Sequence, residues 1–162
     1  MMQTRFSKSL WQALSLGVLA GMRTSSAPLI VNQILHKYPS KSLSGSPLRF
    51  MKSEKAGIVF KIFAAGELVG DKLPFTPNRI EFGGIVGRCL SGGLAGATIF
   101  KANNNNALIG GLLGAAAAFG STFGSYFLRK AIVKKSQAYD PFIGALEDSI
   151  VIGSGIALIR SA

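Results

Sequence analysis

The chain has 162 residues, a mean hydropathy of +0.37, 48% hydrophobic residues and only 15% charged ones. Soluble domains carry about 25% charged residues, so this composition excludes an ordinary water-soluble fold and points to the bilayer as solvent. The net charge of +11 does not call for nucleic acid as a partner, because Lys and Arg collect beside apolar stretches, from Lys37 to Lys55 and from Arg129 to Lys135, where anionic lipid head groups account for them.

The N-terminal MMQTRFSK followed by SLWQALSLGVLAG has the charged and apolar regions of a signal peptide. Pro28 directly after Ala27 makes the best cleavage position poor, so the segment reads as a first membrane helix. The first apolar stretch, about Ser9 to Leu35, is interrupted by Arg23, Thr24, Ser25 and Ser26, with Pro28 just beyond. Proline removes a backbone donor and disfavours helical geometry at the residue before it. A first helix broken near Arg23–Pro28 is predicted, with halves Leu10 to Met22 and Leu29 to Leu35 that need not be collinear. Each half is too short to cross about 30 Å of hydrocarbon.

Lys37 to Lys55 forms the main loop, rich in Ser, Pro and basic residues. The second apolar segment, Ala56 to Gly70, contains Lys61 and Glu67 and is short for a span, so it is either tilted or continued by Leu73. Asp71 to Phe82, DKLPFTPNRIEF, carries Pro74 and Pro77 and reads as a structured turn. The third segment is Gly83 to Phe100, closed by Lys101 and a low-complexity hinge, Asn103 to Asn106. Ala107 to Leu128 is the cleanest spanning helix, and Pro141 opens the fifth segment, Phe142 to Ile159. The fold class is therefore all-α, a polytopic transmembrane bundle of four to five segments forming a single integral membrane domain, residues 1–162. If every segment crosses once, basic residues in alternate loops nearly balance, and orientation stays open.

Glycines recur at four-residue spacing in the pairs Gly83 and Gly87, Gly92 and Gly96, Gly110 and Gly114, and Gly120 and Gly124. In lipid such residues let helix backbones approach closely, which predicts a tight bundle or a homo-oligomer seam. The single cysteine, Cys89, and the single histidine, His36, lack the companions that a disulfide framework or a histidine metal pair needs. No cofactor is expected, and the identity of any metal is left open.

Ionisable side chains within apolar segments cost about 2.5–3.5 kcal/mol to insert and are normally turned inward and paired. Here they are Arg23, Glu67, Asp71, Arg88, Glu147 and Asp148. Glu67 and Asp71 are four residues apart, on one face of a helix. One reading has the acids and Arg23 line a polar cavity at the break, where open backbone groups and the hydroxyls of Thr24, Ser25 and Ser26 coordinate a solute, as broken helices do in transporters. The other has Arg23 and Arg88 neutralise the acids and fix helix register, with Asp71 and Lys72 at the interface. An acid–base or divalent-cation role for Glu67 with Asp71 has no accompanying His, Cys or Ser constellation.

At GMRTSSAP (Gly21 to Pro28), GELVGDKLPFTPNRI (Gly66 to Ile80), GRCLSGGLAGA (Gly87 to Ala97) and ALEDSIVIG (Ala145 to Gly153) the chain resembles the family called domain of unknown function 4126. Members resemble small bacterial membrane proteins with an arginine after a glycine in the first helix, an ELxxDKxP block and an acidic pair near the last helix. Arg23, Glu67, Asp71, Lys72, Pro74, Glu147 and Asp148 occupy those positions. The resemblance implies a multi-pass protein of the bacterial inner membrane and no established activity. An echo of the polar first helix and acidic second helix in Ser121, Thr122 and Ser125 followed by the acidic last helix suggests an inverted repeat.

These readings converge on a small transporter or channel whose intramembrane site comprises Arg23, Thr24, Ser25, Glu67, Asp71, Lys72, Glu147 and Asp148, with membrane lipids and a small ion or solute as partners. The alternatives are a structural or assembly membrane protein, and a membrane enzyme acting on lipid head groups at the DKLPFTPNR turn.

Overall fold

The computed structural model describes residues 2–70, 80–136 and 140–162. Among them the chain is all-helical, with α1 (Met2–Met22), α2 (Ser26–Lys37), α3 (Glu54–Gly70), α4 (Phe82–Ala102), α5 (Ala107–Ser136) and α6 (Asp140–Ser161). Two short 3₁₀ helices, Lys41–Leu43 and Pro47–Lys52, shape the loop between α2 and α3. The first apolar stretch thus becomes two helices, and five apolar segments become six.

The break falls before the position that proline alone would set. Pro28 lies in the first turn of α2, which begins at Ser26, where a backbone N–H has no intrahelical acceptor and its absence costs nothing. The chain reverses over Arg23–Ser25, and α2 runs back antiparallel to α1. Three contacts to α4 fix this geometry. Gln12 midway along α1 meets Asn103 (3.4 Å) at the end of α4, the Ser91 hydroxyl donates to the Thr24 carbonyl at the break, and Ser40 just after α2 donates to the Ala102 carbonyl (2.6 Å). The path from Asn103 down α4 to Ser91 and back to Ala102 is therefore followed twice, once by each helix. The tip of this hairpin reaches only part-way along the thirty residues of α5, where the Thr122 hydroxyl approaches the Gly21 carbonyl at 3.4 Å.

Helices α1, α4 and α5 form the centre. Ala13, Leu16, Ala20, Ala95, Phe100 and Ala118 are fully buried there. The α4–α5 seam is backbone against backbone: a methyl group on Gly96 or Gly114 would overlap the carbonyl of Gly110 or Gly92, respectively. Gly17 and Gly21 bring α1 equally close to α5. Two of the four expected glycine pairs thus build an internal seam, whereas Gly83, Gly120 and Gly124 face open space.

Asn103 to Asn106 is a built turn. Asn103 and Asn105 hydrogen-bond Gln12 and Ser9 of α1, Asn104 takes a positive φ of 63°, and the Asn106 side chain accepts from the Leu108 N–H at the start of α5. Asparagine suits each of these tasks, which is why the run looks like low complexity in one dimension. At the other side, buried Asn32 donates to the Met51 carbonyl at 2.8 Å and ties α2 to the loop, with Gly57 of α3 pressed against its amide.

Helices α3 and α6 flank α2. Gly57 lies by Asn32 and Glu67 by Ser25, so α3 is antiparallel to α2; Asp148 lies by Arg23 and Ile159 by Lys37, so α6 is parallel to it. Among the described residues one helix, Ala107–Ile132 within α5, is long and apolar enough to cross a membrane. Helix α5 runs without interruption through Ser121, Thr122 and Ser125, so the break between α1 and α2 has no counterpart there.

Candidate functional site

The reversal at Arg23–Ser25 frees backbone groups that must find partners, and Glu67 of α3, Ser91 of α4 and Ser26 of α2 itself supply them. Glu67 of α3 places its carboxylate at the N-terminus of α2. It accepts from the Thr24 N–H (2.8 Å), the Ser25 N–H (2.9 Å) and the Ser25 hydroxyl (2.5 Å). Ser25 occupies the N-cap position but makes no side-chain cap of its own, so Glu67 caps α2 from outside. A negative charge is favourable there, because the helix N-terminus carries unpaired N–H groups and the positive end of the helix dipole.

The carbonyls at the end of α1 are answered by hydroxyls. Ser26 donates to the carbonyls of Leu19 (3.0 Å) and Arg23 (2.7 Å), and Ser91 of α4 donates to that of Thr24. Arg23, only 7% exposed, turns the other way and pairs with Asp148 of α6 through Nε (2.7 Å) and Nη2. Arg88, also buried, lies one turn before Ser91 on α4.

Two clefts meet at this point and share Ser25. The first lies between α2, α3 and α6. Arg23, Ser25, Ser26 and Asp148 form its polar end, Leu29, Ile30, Val151 and Ile156 are among its walls, Gln33 and Lys61 add polar groups, and its volume is about 290 Å³. The second lies between α2, α3 and α4, where Thr24, Ser25, Glu67 and Ser91 sit among Pro28, Phe60 and Phe63. The contact between Ser25 and Glu67 is the wall between them.

A family model described as Domain of unknown function (DUF4126) matches residues 10–160. The chain belongs to the DUF4126 family. No curated protein and no solved structure matches the chain. Of the residues singled out in this DUF4126 sequence, the fold brings Arg23, Thr24, Ser25, Glu67 and Asp148 together at the hairpin tip. Glu147, the neighbour of Asp148, is half-buried and does not line the first cleft. Asp71, Lys72 and Pro74, with the rest of the segment 71–79, lie outside the described residues.

The backbone donors of the break, read from the sequence as open to a solute, are engaged by Glu67. Sequence reasoning did not find Ser91 or Asn32. Asn32 left a usable signal, since an amide in the middle of an apolar helix must be satisfied by the protein. Ser91 left none, because serine is common at helix contacts in such segments.

Proposed function

We propose that this DUF4126 protein is a multi-pass membrane protein that passes a small ion or solute at the hairpin tip, as a transporter or channel. The observation that carries this reading is the inversion of polarity. Arg23, Arg88, Asn32, Thr98 and Thr122 are buried, whereas Leu90 and Leu108 are 69% and 72% exposed and Phe82, Phe127 and Ile150 also face outward. Large apolar side chains exposed on several helices are costly in water and suited to lipid, and buried charge inside such a bundle marks a functional path. Because α1 and α2 together enter and return, their tip lies within the bundle, in the manner of helix breaks that form transport sites. A homo-oligomer, within this reading, would use the open faces of Gly120 and Gly124.

Glu67→Gln keeps one acceptor oxygen and loses the charge at the α2 N-terminus. In proteoliposomes loaded with a panel of cations and anions, the parent is expected to carry one class and the variant to lose at least tenfold in rate while inserting normally. Unchanged flux in the variant removes Glu67 from the path.

A second reading, a structural membrane protein, is favoured by the mutual satisfaction of the polar groups at the tip. It predicts that no solute stabilises the parent and that Glu67→Gln lowers the unfolding temperature with every panel member alike.

Within this reading the hairpin supports one topology. With α1 and α2 entering and leaving on one face, Arg5 and Lys8 join the loop Lys37 to Lys55, Lys101 and Arg160. That puts nine of the eighteen Lys and Arg on this face against six between Gly70 and Phe82 and in the C-terminal turns of α5. By the positive-inside tendency, both termini and the residue 37–55 loop are cytoplasmic. Single cysteines introduced at Ser44 and at Ala162, in a Cys89→Ala background, are expected to resist an impermeant maleimide in intact cells. Labelling of one but not the other rules out the hairpin topology.

A further inference from the structure

We infer that the cleft between α2, α3 and α6 binds an anionic amphiphile, a single apolar chain carrying an acidic head group. The inference rests on the membrane reading above and concerns the cleft beside the hairpin tip, apart from the contact between Glu67 and Ser25.

Shape is the first argument. The cleft follows α6 from Asp148 to Ile159, eleven residues and about 16 Å at the helical rise. A volume of about 290 Å³ stretched over that length is a slot, which an extended alkyl chain fills and a compact hydrated ion does not. Leu29, Ile30, Ala64, Val151, Ile152 and Ile156 make its sides almost wholly apolar. Gly155 lets α6 approach α2 along the slot, since a methyl group there would meet the Ile30 side chain at 2.9 Å. The outer faces of Ile152 and Ile156 are exposed, so the slot is open sideways to whatever surrounds the protein.

Charge is the second. Asp148, the acid that lines the slot, is paired with Arg23. Lys61 also lines the slot and makes no ion pair among the described residues, and Gln33 offers an amide to the same space. Lys37 stands at the Ile159 end, its ammonium 3.5 Å from the Ile159 carbonyl. A cation beside an apolar slot in hydrocarbon is expensive unless it meets an anion. A phosphate or carboxylate at the head of an alkyl chain meets Lys61 and fills the walls with one molecule. Zwitterionic lipid offers the same chain with an offsetting positive charge.

The test is the unfolding temperature of the detergent-purified protein with lysophosphatidylglycerol, lysophosphatidylcholine, sodium laurate and inorganic phosphate. Mass action predicts a rise of about 5 °C at saturating concentrations of lysophosphatidylglycerol. Lysophosphatidylcholine and inorganic phosphate are expected to give no rise. A laurate rise equal to that of lysophosphatidylglycerol identifies any acidic head group, and a smaller one identifies phosphate; either is consistent with the cleft. Lys61→Met should lose the shift and Lys61→Arg keep it. Lys61 is exposed, so neither change disturbs packing. An equal rise with lysophosphatidylcholine, or a full rise in Lys61→Met, overturns the inference. A carbonate wash of cell membranes separates this failure from failure of the membrane reading, which predicts that the protein stays in the pellet.

Discussion

Gly96→Leu and Gly114→Leu are each expected to prevent accumulation of folded protein, while Gly120→Leu on the same α5 helix leaves it folded. The difference follows from what each new side chain meets. At Gly96 and Gly114 the first added carbon overlaps a carbonyl of the opposite helix. The obstacle is backbone within a hydrogen-bonded turn, so it cannot rotate aside as a side-chain tip would. Ordinary overpacking costs about 1–3 kcal/mol, and separating two helices adds the dispersion contact of the whole seam. Against a total stability of about 5–15 kcal/mol, that is enough to abolish the fold. Gly120 has nothing within 4 Å of the added carbon. Fluorescence-detected size-exclusion chromatography of tagged variants reads the outcome, and a monodisperse peak for Gly96→Leu equal to the parent's would show that α4 and α5 are not packed at this seam. Loss of the peak for Gly120→Leu with Gly96→Leu intact would place the tight contact between copies of the chain instead.

The second large effect lies at the hairpin tip. Arg23→Met removes the guanidinium that Asp148 meets, and Asp148→Leu removes the carboxylate that Arg23 meets. Each is expected to destabilise the protein by about 3–5 kcal/mol, because a buried charge stripped of its counter-ion retains the full desolvation penalty. The double variant Arg23→Met/Asp148→Leu should recover most of that loss, since a buried ion pair replaced by apolar groups is often neutral. Denaturant titration in detergent of the parent, both singles and the double forms a cycle whose interaction energy measures the pair. Simple additivity of the two losses would mean that Arg23 and Asp148 do not act on one another. Recovery of stability without recovery of flux would separate the structural role of the pair from its role in the path.

Helix content and the identity of the charged residues were legible from one dimension. An apolar run with turn residues at its ends leaves little choice but helix; both ends of α4 and the start of α5 fall close to where the sequence puts them, whereas α5 runs on past Leu128 through the basic cluster to Ser136. The relation between Arg23 and Asp148, 125 residues apart, was visible only as a matter of cost: burying either side chain demands a partner, but the sequence does not say which. The capping of α2 by Glu67 was less legible still. The sequence shows an interrupted helix with exposed donors and an acid on another segment, and nothing in spacing along the chain tells whether that acid or a solute answers the donors.

The direction of α2 marks the division most clearly. From residues 23–28 alone the sequence determines that the first apolar stretch is interrupted, because a charged and hydroxyl-rich run followed by proline cannot continue an apolar helix unchanged. Whether the second half continues outward or folds back depends on contacts far along the chain: Ser40 with Ala102, Ser91 with Thr24 and Asn103 with Gln12. Composition and local propensity determined an all-helical, strongly apolar chain with costly charges inside it, and its sequence motifs marked the DUF4126 family. Only the tertiary structure decided that α1 and α2 form a hairpin and that Glu67 and Asp148 meet it from opposite sides. Local sequence sets where a helix must stop, whereas its direction afterwards is chosen by long-range contacts that satisfy the polar groups the stop has exposed.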